Sequence, residues 1–453
     1  MQSRKAPRTQ GRTTVLTVLT VLTVLTVPTV LTAQQSLQRA IDTRTAAVLP
    51  SVVAWRRDIH QHPELSNREV RTGKLVAEHL TRLGIEVKTG VAHTGVVGVL
   101  RGGKPGPVVA LRADMDALPV TEQVDLPFKS TVTTEFNGQQ VGVMHACGHD
   151  NHVAILMGVA EVLAGMKADI PGTVKFIFQP AEEGAPRGEK GGAGMMIEEG
   201  VMENPAPGAI FGLHVWPGKV GGITYRSGPT MAAADPLLIV VKGRQTHGAQ
   251  PWGGVDPIVV SSQIVLGLQT IASRQINVTK VPAIITVGRI LGGNRGNIIP
   301  DSVVMEGTIR TFDEEMRKDI KDRIRRTVEL IAQSAGATAT VDMGSGNSPV
   351  TYNDPALTSR MLPTLRRVFG EANVTEGELS TPSEDFSMYQ QRIPGLFLFL
   401  GIVPPDKDPA TAPRNHSPYF FADEAALPLG VRALANLAID WLVANPVKPR
   451  AGP

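Results

Sequence analysis

The stretch PVVALRADMD, residues 107–116, decides the fold class of this 453-residue chain. Its first seven residues form a nearly continuous apolar run, which leads directly into the carboxylates of Asp114 and Asp116. A run without clean alternation is typical of a strand that is buried on both faces of a largely parallel sheet. Three further stretches share this pattern: TVKFIFQ (173–179), AIFGLHV (209–215) and GLFLFLG (395–401).

Helical segments lie between or after these strands. NHVAILMGVAEVLAGM (151–166) is one of them, and DEAALPLGVRALANLAIDWLVA (423–444) is the last in the chain. Because strands and helices alternate, the sequence predicts an α/β fold with a mostly parallel central sheet. Near the start of the chain, Ser66 and Glu69 have the spacing of a capping box, which predicts that a helix begins near Ser66.

The middle of the chain has a different pattern. Strands are predicted at 236–243, 283–290, 302–312 and 337–344, and helices at 256–274 and 314–335. This combination indicates a compact α+β unit, and the buried-strand pattern resumes after it at 395–401. We therefore expect a discontinuous catalytic domain, residues 34–229 and 346–445, with an inserted domain at residues 230–345.

The first 33 residues resemble a secretory signal peptide. Residues 1–12 carry four basic residues and no acid, and the apolar repeat TTVLTVLTVLTVLTVPTVLTA follows at 13–33. A basic start, an apolar run and a small-residue site predict cleavage after Ala33 and export, to the periplasm or outside the cell. The alternative is a retained membrane anchor, since the run has about the length of a membrane span.

The charge of the chain gives no indication of a nucleic-acid partner. The chain has 45 basic and 42 acidic residues. Without the four basic residues of the predicted leader, 41 basic residues face 42 acidic ones, so the basic character belongs mostly to the leader. The rest of the chain has no electrostatic reason to bind a polyanion.

Potential metal ligands follow the buried strands at their carboxyl ends, where ligands gather in open α/β sheets. Each of these residues has an ordinary interpretation when it is considered alone: a turn carboxylate, a solvated glutamate or a core histidine. Together they predict one site, because the carboxyl ends of neighbouring parallel strands lie close together. The residues in question are Asp114, Asp116, Glu182, Glu183, His214 and His416.

The stretch MHACGHDNH, residues 144–152, contains the one cysteine of the chain, Cys147. A single cysteine excludes an intramolecular disulfide. From this stretch alone, three interpretations of Cys147 remain open: a buried small hydrophobe, a nucleophile with a histidine base, or a thiolate metal ligand.

The spacing of the polar residues agrees with a two-metal hydrolase, which needs ligands for both ions and a base for the attacking water. Cys147 and His149 lie two residues apart, so an extended loop presents both on one side. Glu182 and Glu183 are adjacent and point in opposite directions, so one can bind metal while the other acts as a base. Asp114 and Asp116 are also two residues apart and share a side, so one of them could orient a ligand.

Taken together, the motifs resemble one family, the aminoacylase and carboxypeptidase family of dinuclear metallohydrolases (peptidase family M20). The chain looks most like its amidohydrolase branch, with the hippurate hydrolases and the auxin-conjugate hydrolases. The resemblance covers roughly residues 37–445. It rests on motifs that occur in this order: DIHQHPELSNRE, LRADMDALPV, MHACGHDNHVAILMG, FQPAEEG, FGLHVWP, GRQTHGAQPWGGVDPI, GNIIPD, EGTIRTF, SEDFS and NHSP.

The resemblance implies a metal-binding α/β domain that is interrupted by a smaller, ferredoxin-like lid or dimerisation domain. It implies two divalent ions per subunit, with Mn, Zn, Co and Ni all compatible with mixed N, O and S ligands. Glu182 would be the general base and acid, and Asp116 would orient a ligand. Asp114 stands where the wider family has a histidine ligand, which leaves open whether Asp114 binds metal. The implied ligands are Cys147, His149, Glu183, His214 and His416.

The resemblance also assigns roles to residues of the inserted domain. His247 would stabilise the oxyanion of the tetrahedral intermediate, often from the other subunit of a dimer. Asn297 and Arg310 would bind the carboxylate of the substrate. We therefore expect a homodimer or a higher homo-oligomer.

The function that follows is metal-dependent hydrolysis of the amide bond of an N-acyl amino acid. A carboxypeptidase or dipeptidase that acts on small peptides is the alternative. A thiol enzyme that uses Cys147 would explain neither the Glu182–Glu183 pair nor His214. A non-catalytic binding protein on the same fold would be expected to lack the base or some ligands, and all of them are present.

Overall fold

The computed structural model describes residues 16–344 and 348–446, with side chains from residue 35 onward. Its helices are α1 (Leu16–Gln61), α2 (Val70–Arg82), α3 (His149–Ala164), α4 (Gly192–Glu198), α5 (Pro257–Thr270), α6 (Glu314–Ser334), α7 (Pro355–Phe369), α8 (Ser387–Gln390) and α9 (Leu427–Ala444). The predicted leader, residues 1–33, lies partly outside the described residues. Its cleavage and the export of the chain stay predictions.

The strands of the described residues divide into one large sheet, one four-stranded sheet and three short pairs. In chain order they are β1 (Glu86–Val91), β2 (Gly95–Arg101), β3 (Lys104–Asp114), β4 (Thr133–Phe136), β5 (Gln139–Gly142), β6 (Pro171–Gln179), β7 (Ala209–Lys219), β8 (Ile223–Tyr225), β9 (Gly228–Met231), β10 (Ala233–Lys242), β11 (Thr246–His247), β12 (Ala283–Gly292), β13 (Ile298–Ile299), β14 (Ser302–Thr311), β15 (Thr338–Asp342), β16 (Thr351–Asn353), β17 (Val374–Glu376) and β18 (Gly395–Val403).

The large sheet has eight strands in the order β1-β2-β6-β3-β7-β18-β8-β17. Its centre is parallel, with β6, β7 and β18 all running in the direction of β3, whereas β1–β2, β2–β6 and β18–β8 are antiparallel pairs. The four apolar runs of the sequence are strands β3, β6, β7 and β18, which confirms the predicted α/β class and its mostly parallel sheet.

Both faces of the large sheet are covered. Successive residues alternate between two apolar cores: Leu111 of β3 packs in the core shared with α1, α3 and α9, while Ala110 packs in the core on the opposite face. Among the described residues, one helical segment has the length and hydropathy of a membrane span. It is Glu424–Ala444, which contains helix α9. However, 78% of its most apolar stretch is buried inside the protein, so it is a core helix.

The middle of the chain forms a separate α+β unit. Its sheet has the order β12-β14-β10-β15, all antiparallel, and helices α5 and α6 pack against it. It has its own apolar core, which includes Ile239, Ile264 and Ile320. The exact boundaries of the unit at residues 230 and 345 stay a prediction, and residues 345–347 lie outside the described residues.

One predicted helix start is wrong. Helix α2 begins at Val70, and Glu69 stands at its N-cap without a capping hydrogen bond from its side chain. Ser66 donates a hydrogen bond to Asp116, and Glu69 accepts one from the amide of Ala181. Both side chains have the spacing of a capping box, but Ser66 bonds to Asp116 after β3, and Glu69 accepts from the amides of Asn67 and Ala181 and not from that of Ser66.

Candidate metal centre

The predicted ligands lie together at the carboxyl edge of the large sheet. Asp114 ends β3, Glu182 and Glu183 follow β6, and His214 lies midway along β7, level with Asp114 because Arg112 pairs with Gly212. Helix α3 begins at His149, and the loop after β18 brings His416 to the same edge, where its amide donates to the carbonyl oxygen of Ala146. Residues from distant parts of the sequence therefore meet at one place because of the strand order.

Among the described residues, five groups of three potential ligand residues lie at this edge, each with its ligand atoms within 4.8 Å of one another, and two of these groups contain Cys147. One consists of Cys147, His149 and His214, and the other of Cys147, Glu183 and His416. Cys147 belongs to both groups. The Sγ atom of Cys147 lies 3.3 Å from Nε2 of His214, and Nε2 of His416 lies 3.1 Å from Oε1 of Glu183.

The donor atoms fit two divalent cations. Nε2 of His149 is buried and lacks a hydrogen-bond partner among the described residues, whereas Nδ1 of the same ring lies 3.3 Å from Oδ1 of Asp116. Buried polar atoms are normally satisfied, so such an orphaned atom indicates a missing ligand. Nδ1 of His214 donates to the carbonyl oxygen of Val215 at 2.7 Å, which leaves Nε2 as the coordinating nitrogen. Thiolate, imidazole and carboxylate together suit transition-metal ions.

Gly148 allows Cys147 and His149 to face the same site. Its φ angle is +88°, and a Cβ atom at this position would lie 2.3 Å from Cγ2 of Val215. Since β7 holds Val215 in place, any larger residue would push the loop away from the sheet. The glycine between the two ligands is therefore required by both its backbone conformation and the close contact.

Asp116 holds three parts of the site together. Its carboxylate accepts hydrogen bonds from the backbone amides of Glu182 at 3.1 Å and Glu183 at 3.0 Å, and from the hydroxyl of Ser66 at 2.7 Å. It also lies 3.3 Å from Nδ1 of His149. Asp116 therefore contacts both the histidine and the glutamate loop, and its orienting role stays a prediction.

A second carboxylate fixes the same loop from its other side. Glu69 is buried and accepts hydrogen bonds from the amide of Ala181 and the hydroxyl of Thr94. Ala181 has a φ angle of +53°, an uncommon conformation for a residue with a side chain. Burial, followed by the charge of Asp116, raises the pKa of Glu69 to about 7.

The role of Asp114, which the sequence left open, follows from its partners. One oxygen accepts from the buried guanidinium of Arg112, and the other lies 2.5 Å from Nδ1 of His152. Nε2 of His152 in turn accepts the amide hydrogen of Val215 at 2.8 Å. Asp114 therefore connects Arg112 and His152 to the strand that carries His214, and one of its oxygens also lies within 4.8 Å of ligand nitrogens of His149 and His152.

Sequence reasoning missed Arg112. This arginine is 1% exposed, and its guanidinium also binds Gln179, Glu384 and Asp385, each at 2.9 Å. It lies beneath the loop with the predicted base, Glu182. The signal was an arginine inside an otherwise apolar strand, but its partners lie as much as 273 residues away in the chain.

A further network beneath α3 was also missed. Asp150, the residue after His149, accepts from Arg56 of α1 and lies 2.9 Å from Nδ1 of His60. The other nitrogen of His60 lies 3.1 Å from Glu122. The network fixes the start of α3, although the sequence indicated only a capping role for Asp150.

The ligand residues lie in a region of concentrated negative charge. Burial lowers the pKa of His149, but Asp114, Asp116 and Glu183 outweigh it and raise the pKa to about 10. Burial, followed by the charges of Glu384 and Glu183, raises the pKa of Glu182 well above its usual range. The same field that favours a protonated imidazole attracts a divalent cation.

The surroundings of Cys147 do not activate it as a nucleophile. Burial, followed by the charges of Glu183 and Glu182, raises the pKa of its thiol well above the usual value. Its neighbour His214 has a pKa lowered mainly by burial, so that histidine is neutral and supplies no cation. A reactive thiol needs a lowered pKa, which argues against the thiol-enzyme alternative.

The candidate centre opens into a cavity of about 850 Å³ that reaches the inserted unit. Cys147, Glu182, Glu183, His214 and His416 line it, and Arg310 of β14 lines it from the inserted unit. His247 and Asn297 are not among its lining residues. Both are exposed, and they lie beside each other, since the amide of Gly248 donates to the carbonyl oxygen of Asn297.

The sequence of this chain is similar to those of known proteins over most of its length. The family model for peptidase family M20/M25/M40 matches residues 110–440. Thermostable carboxypeptidase 2 of Saccharolobus solfataricus is 45% identical over 392 residues, which cover 86% of this chain and 95% of that protein. N-acetylcysteine deacetylase of Bacillus subtilis is 39% identical over 390 residues, 86% of this chain and 96% of that protein.

A solved structure gives the same result. The dinuclear metal binding peptidase from the M20 family of Bacillus subtilis aligns with a TM-score of 0.72 and 37% identity, over 88% of this chain and 99% of its own. The resemblance predicted from the motifs is confirmed, and so is the metal-dependent amidohydrolase class that it implied. On the strength of its site and its relatives, the chain belongs to peptidase family M20/M25/M40.

Proposed function

We propose that this amidohydrolase cleaves the amide bond of N-acyl amino acids with two divalent ions per subunit. The observation that carries the proposal is the position of Cys147 in two ligand groups, with Glu182 beside them at the cavity wall and within 4.8 Å of ligand atoms of His149 and Glu183. The deacetylase relative supports the substrate class, since its name specifies an N-acetyl amino acid.

Cys147, His149 and His214 would hold one ion, and Cys147, Glu183 and His416 the other. When bound, the ions would supply a water of lowered pKa and polarise the scissile carbonyl. Mn, Zn, Co and Ni all accept this set of donors.

Glu182 is proposed as the proton carrier. Its side chain is 9% exposed at the wall of the cavity, and Asp116 holds its backbone. It would take a proton from the attacking water and deliver it to the leaving amine.

The residues of the inserted unit are proposed to bind the substrate from two subunits. Arg310 lines the cavity of its own chain and would bind the carboxylate of the amino acid half. His247 and Asn297 are not among the residues that line this cavity, so they would act in the cavity of the partner in a homodimer. His247 would donate a hydrogen bond to the developing oxyanion.

A carboxypeptidase activity is the second candidate, because the relative with 45% identity carries that name. The two reactions share their chemistry. The last peptide bond of a peptide is also an amide whose amine half carries a free carboxylate. The candidates differ only in the acyl half, which a substrate panel decides.

The test is a panel of N-acetyl and N-benzoyl amino acids and dipeptides, assayed with metal-loaded protein and with Glu182→Gln. We expect the variant to keep its metal and to lose roughly 100-fold or more in kcat, the scale of general acid–base catalysis. Glu198→Gln, which changes an exposed glutamate paired with Lys190, is the matched control. Near-normal kcat in Glu182→Gln at full metal content would reject the assignment.

We also propose that residues 1–33 direct export and are removed. The basic start and the apolar repeat support this. N-terminal sequencing of the protein from its source cell is the test. A mature chain that begins near Gln34 is the expected result, and an intact Met1 would contradict it.

A further inference from the structure

We propose that Arg226 forms a second carboxylate-binding position in the catalytic cavity, so that the enzyme prefers N-acyl amino acids that carry an additional carboxylate. The inference rests on the proposed function for the place of the scissile amide. It concerns a residue of the large sheet, whereas the amino acid carboxylate is proposed to bind Arg310 on the inserted unit.

The guanidinium of Arg226 is held in a fixed direction. Arg226 follows β8 and lines the cavity. Its Nε donates to the carbonyl oxygen of Pro229 at 3.0 Å, and its Nη1 donates to that of Gly377 at 2.8 Å. These two bonds leave Nη2 available, and they position the planar group before any ligand binds, which reduces the entropy lost on binding.

The charge of Arg226 has no carboxylate partner within the described ranges 35–344 and 348–446, where its guanidinium donates to carbonyl oxygens only. The buried or half-buried arginines outside the cavity all differ in this respect. Each of them pairs with a carboxylate: Arg56, Arg112, Arg317, Arg323 and Arg432. A half-buried cation without an anion is costly, and a ligand carboxylate would offset that cost with a charge-assisted hydrogen bond.

The sheet register places Arg226 away from the metal ligands. Phe399 of β18 pairs with His214 of β7 on one side and with Thr224 of β8 on the other. Since neighbouring strands lie about 4.8 Å apart, Thr224 lies roughly 10 Å from His214, and Arg226 comes two residues later. This distance suits a group several bonds away from the scissile amide.

The surface between the two positions is aromatic. The rings of Trp216 and Phe399 lie 5.3 Å apart, and both residues line the cavity. A ligand that spans the cavity would therefore meet a metal-binding end, an apolar middle and a cationic end. The second carboxylate can belong to the acyl group or to the amino acid side chain, and both sources have the same chemistry at Arg226.

Binding to metal-loaded Glu182→Gln protein, measured by calorimetry, tests the proposal without requiring turnover. The ligands are two isosteric pairs: N-acetylglutamate with N-acetylglutamine, and N-succinylalanine with its terminal carboxamide. In at least one pair we expect the acid to bind about 10- to 100-fold more tightly than the amide, the range for a hydrogen bond between charged groups. The pair that shows the preference identifies the half that carries the carboxylate.

Variants separate anion binding from a structural role. Adding Arg226→Gln to the Glu182→Gln protein should reduce the affinity ratio of acid to amide to about 2-fold or less, because the charge is lost. Arg226→Lys should keep part of it, and Arg101→Gln, a surface arginine paired with Glu86, should leave it unchanged. Equal affinities within both pairs would overturn the proposal, as would a preference that survives Arg226→Gln. A uniform loss for all four ligands in both Arg226 variants would show a structural role and also overturn it.

A failure of the proposed function would be seen separately. If the unmodified protein hydrolyses none of the four compounds but the binding ratio depends on Arg226, the carboxylate site stands and the assigned reaction does not.

Discussion

Cys147 and His149 are buried among other polar side chains, whereas His247 and Asn297 of the inserted unit are exposed, and their hydrogen bonds among the described residues join only the neighbouring segments 246–250 and 297–299. Asp116, which lies 3.3 Å from Nδ1 of His149, also binds two amides and a hydroxyl. Nδ1 of His247 accepts only the nearby amide of Ala249. The comparison shows that contacts within one chain fix the metal-binding half of the site, the residues around Cys147 and His149. The contacts of the described chain do not fix the lid half, His247 and Asn297, in the same way.

The largest expected effect is the loss of metal in Cys147→Ser. Because Cys147 belongs to both ligand groups, replacing its thiolate by a neutral hydroxyl weakens both ion positions at once. We expect metal analysis to give well below two ions per chain. Cys147→Asp should retain more metal, since a carboxylate is also an anionic ligand. Two ions per chain in the serine variant would contradict the shared-ligand assignment.

Removing Arg112 should destabilise the metal-binding half of the site, because several buried carboxylates there lose their cation. The fully buried guanidinium is bound to Asp114, Glu384 and Asp385, and burial already raises the pKa of Glu384 to about 8 although Arg112 opposes this. Arg112→Met leaves these carboxylates without a cation. We expect a loss of about 3–5 kcal/mol in the free energy of unfolding, measured with urea at matched metal content. A loss below about 1 kcal/mol would show that the carboxylates are neutral or hydrated.

Acidification should lower the free energy of unfolding through His79, a buried residue of α2. Burial lowers the pKa of His79 to about 4, and its Nε2 lies 3.1 Å from the carbonyl oxygen of Met157. The unfolded chain, with a pKa near 6.5, binds this proton first, so stability is complete above pH 6.5 and is lost as the pH falls toward 4. The loss is about 3 kcal/mol at most.

His79→Gln removes this titration while it keeps a donor for Met157. Urea unfolding at pH 7 and pH 4.5 should therefore show a smaller acid-induced loss in the variant than in the unmodified protein. Equal losses in both proteins would show that His79 does not contribute.

The smallest effect on stability is expected in the lid half. His247 is exposed, so His247→Ala should change the free energy of unfolding by no more than about 0.5 kcal/mol and should leave the metal content unchanged. If the proposed oxyanion role is correct, kcat falls by about 100- to 1000-fold in the same variant. Mixing this variant with Glu182→Gln should restore some activity, because a mixed dimer has one complete site. No restoration despite subunit exchange would contradict a site built from two subunits.

The sequence was sufficient for the parts of the fold and the site that depend on local pattern. The four apolar runs are strands β3, β6, β7 and β18, and the residues at their carboxyl ends meet because parallel strands share an edge. Partners from distant segments were not predictable. The salt bridge between Arg112 and Glu384 spans 272 residues, and the false capping box arose because Ser66 and Glu69 bind distant groups instead of their own helix.

Asp116 also constrains the order of events when the chain folds. It joins Ser66, His149 and the Glu182–Glu183 loop, segments whose encounter requires the closure of loops of roughly 30 to 70 residues. No short fragment contains all of these segments, so a nascent or partly folded chain has no preformed place for the ions. Metal uptake is then a late step that reports the completion of the large sheet, and a chain that stalls earlier remains without metal even when the ions are abundant.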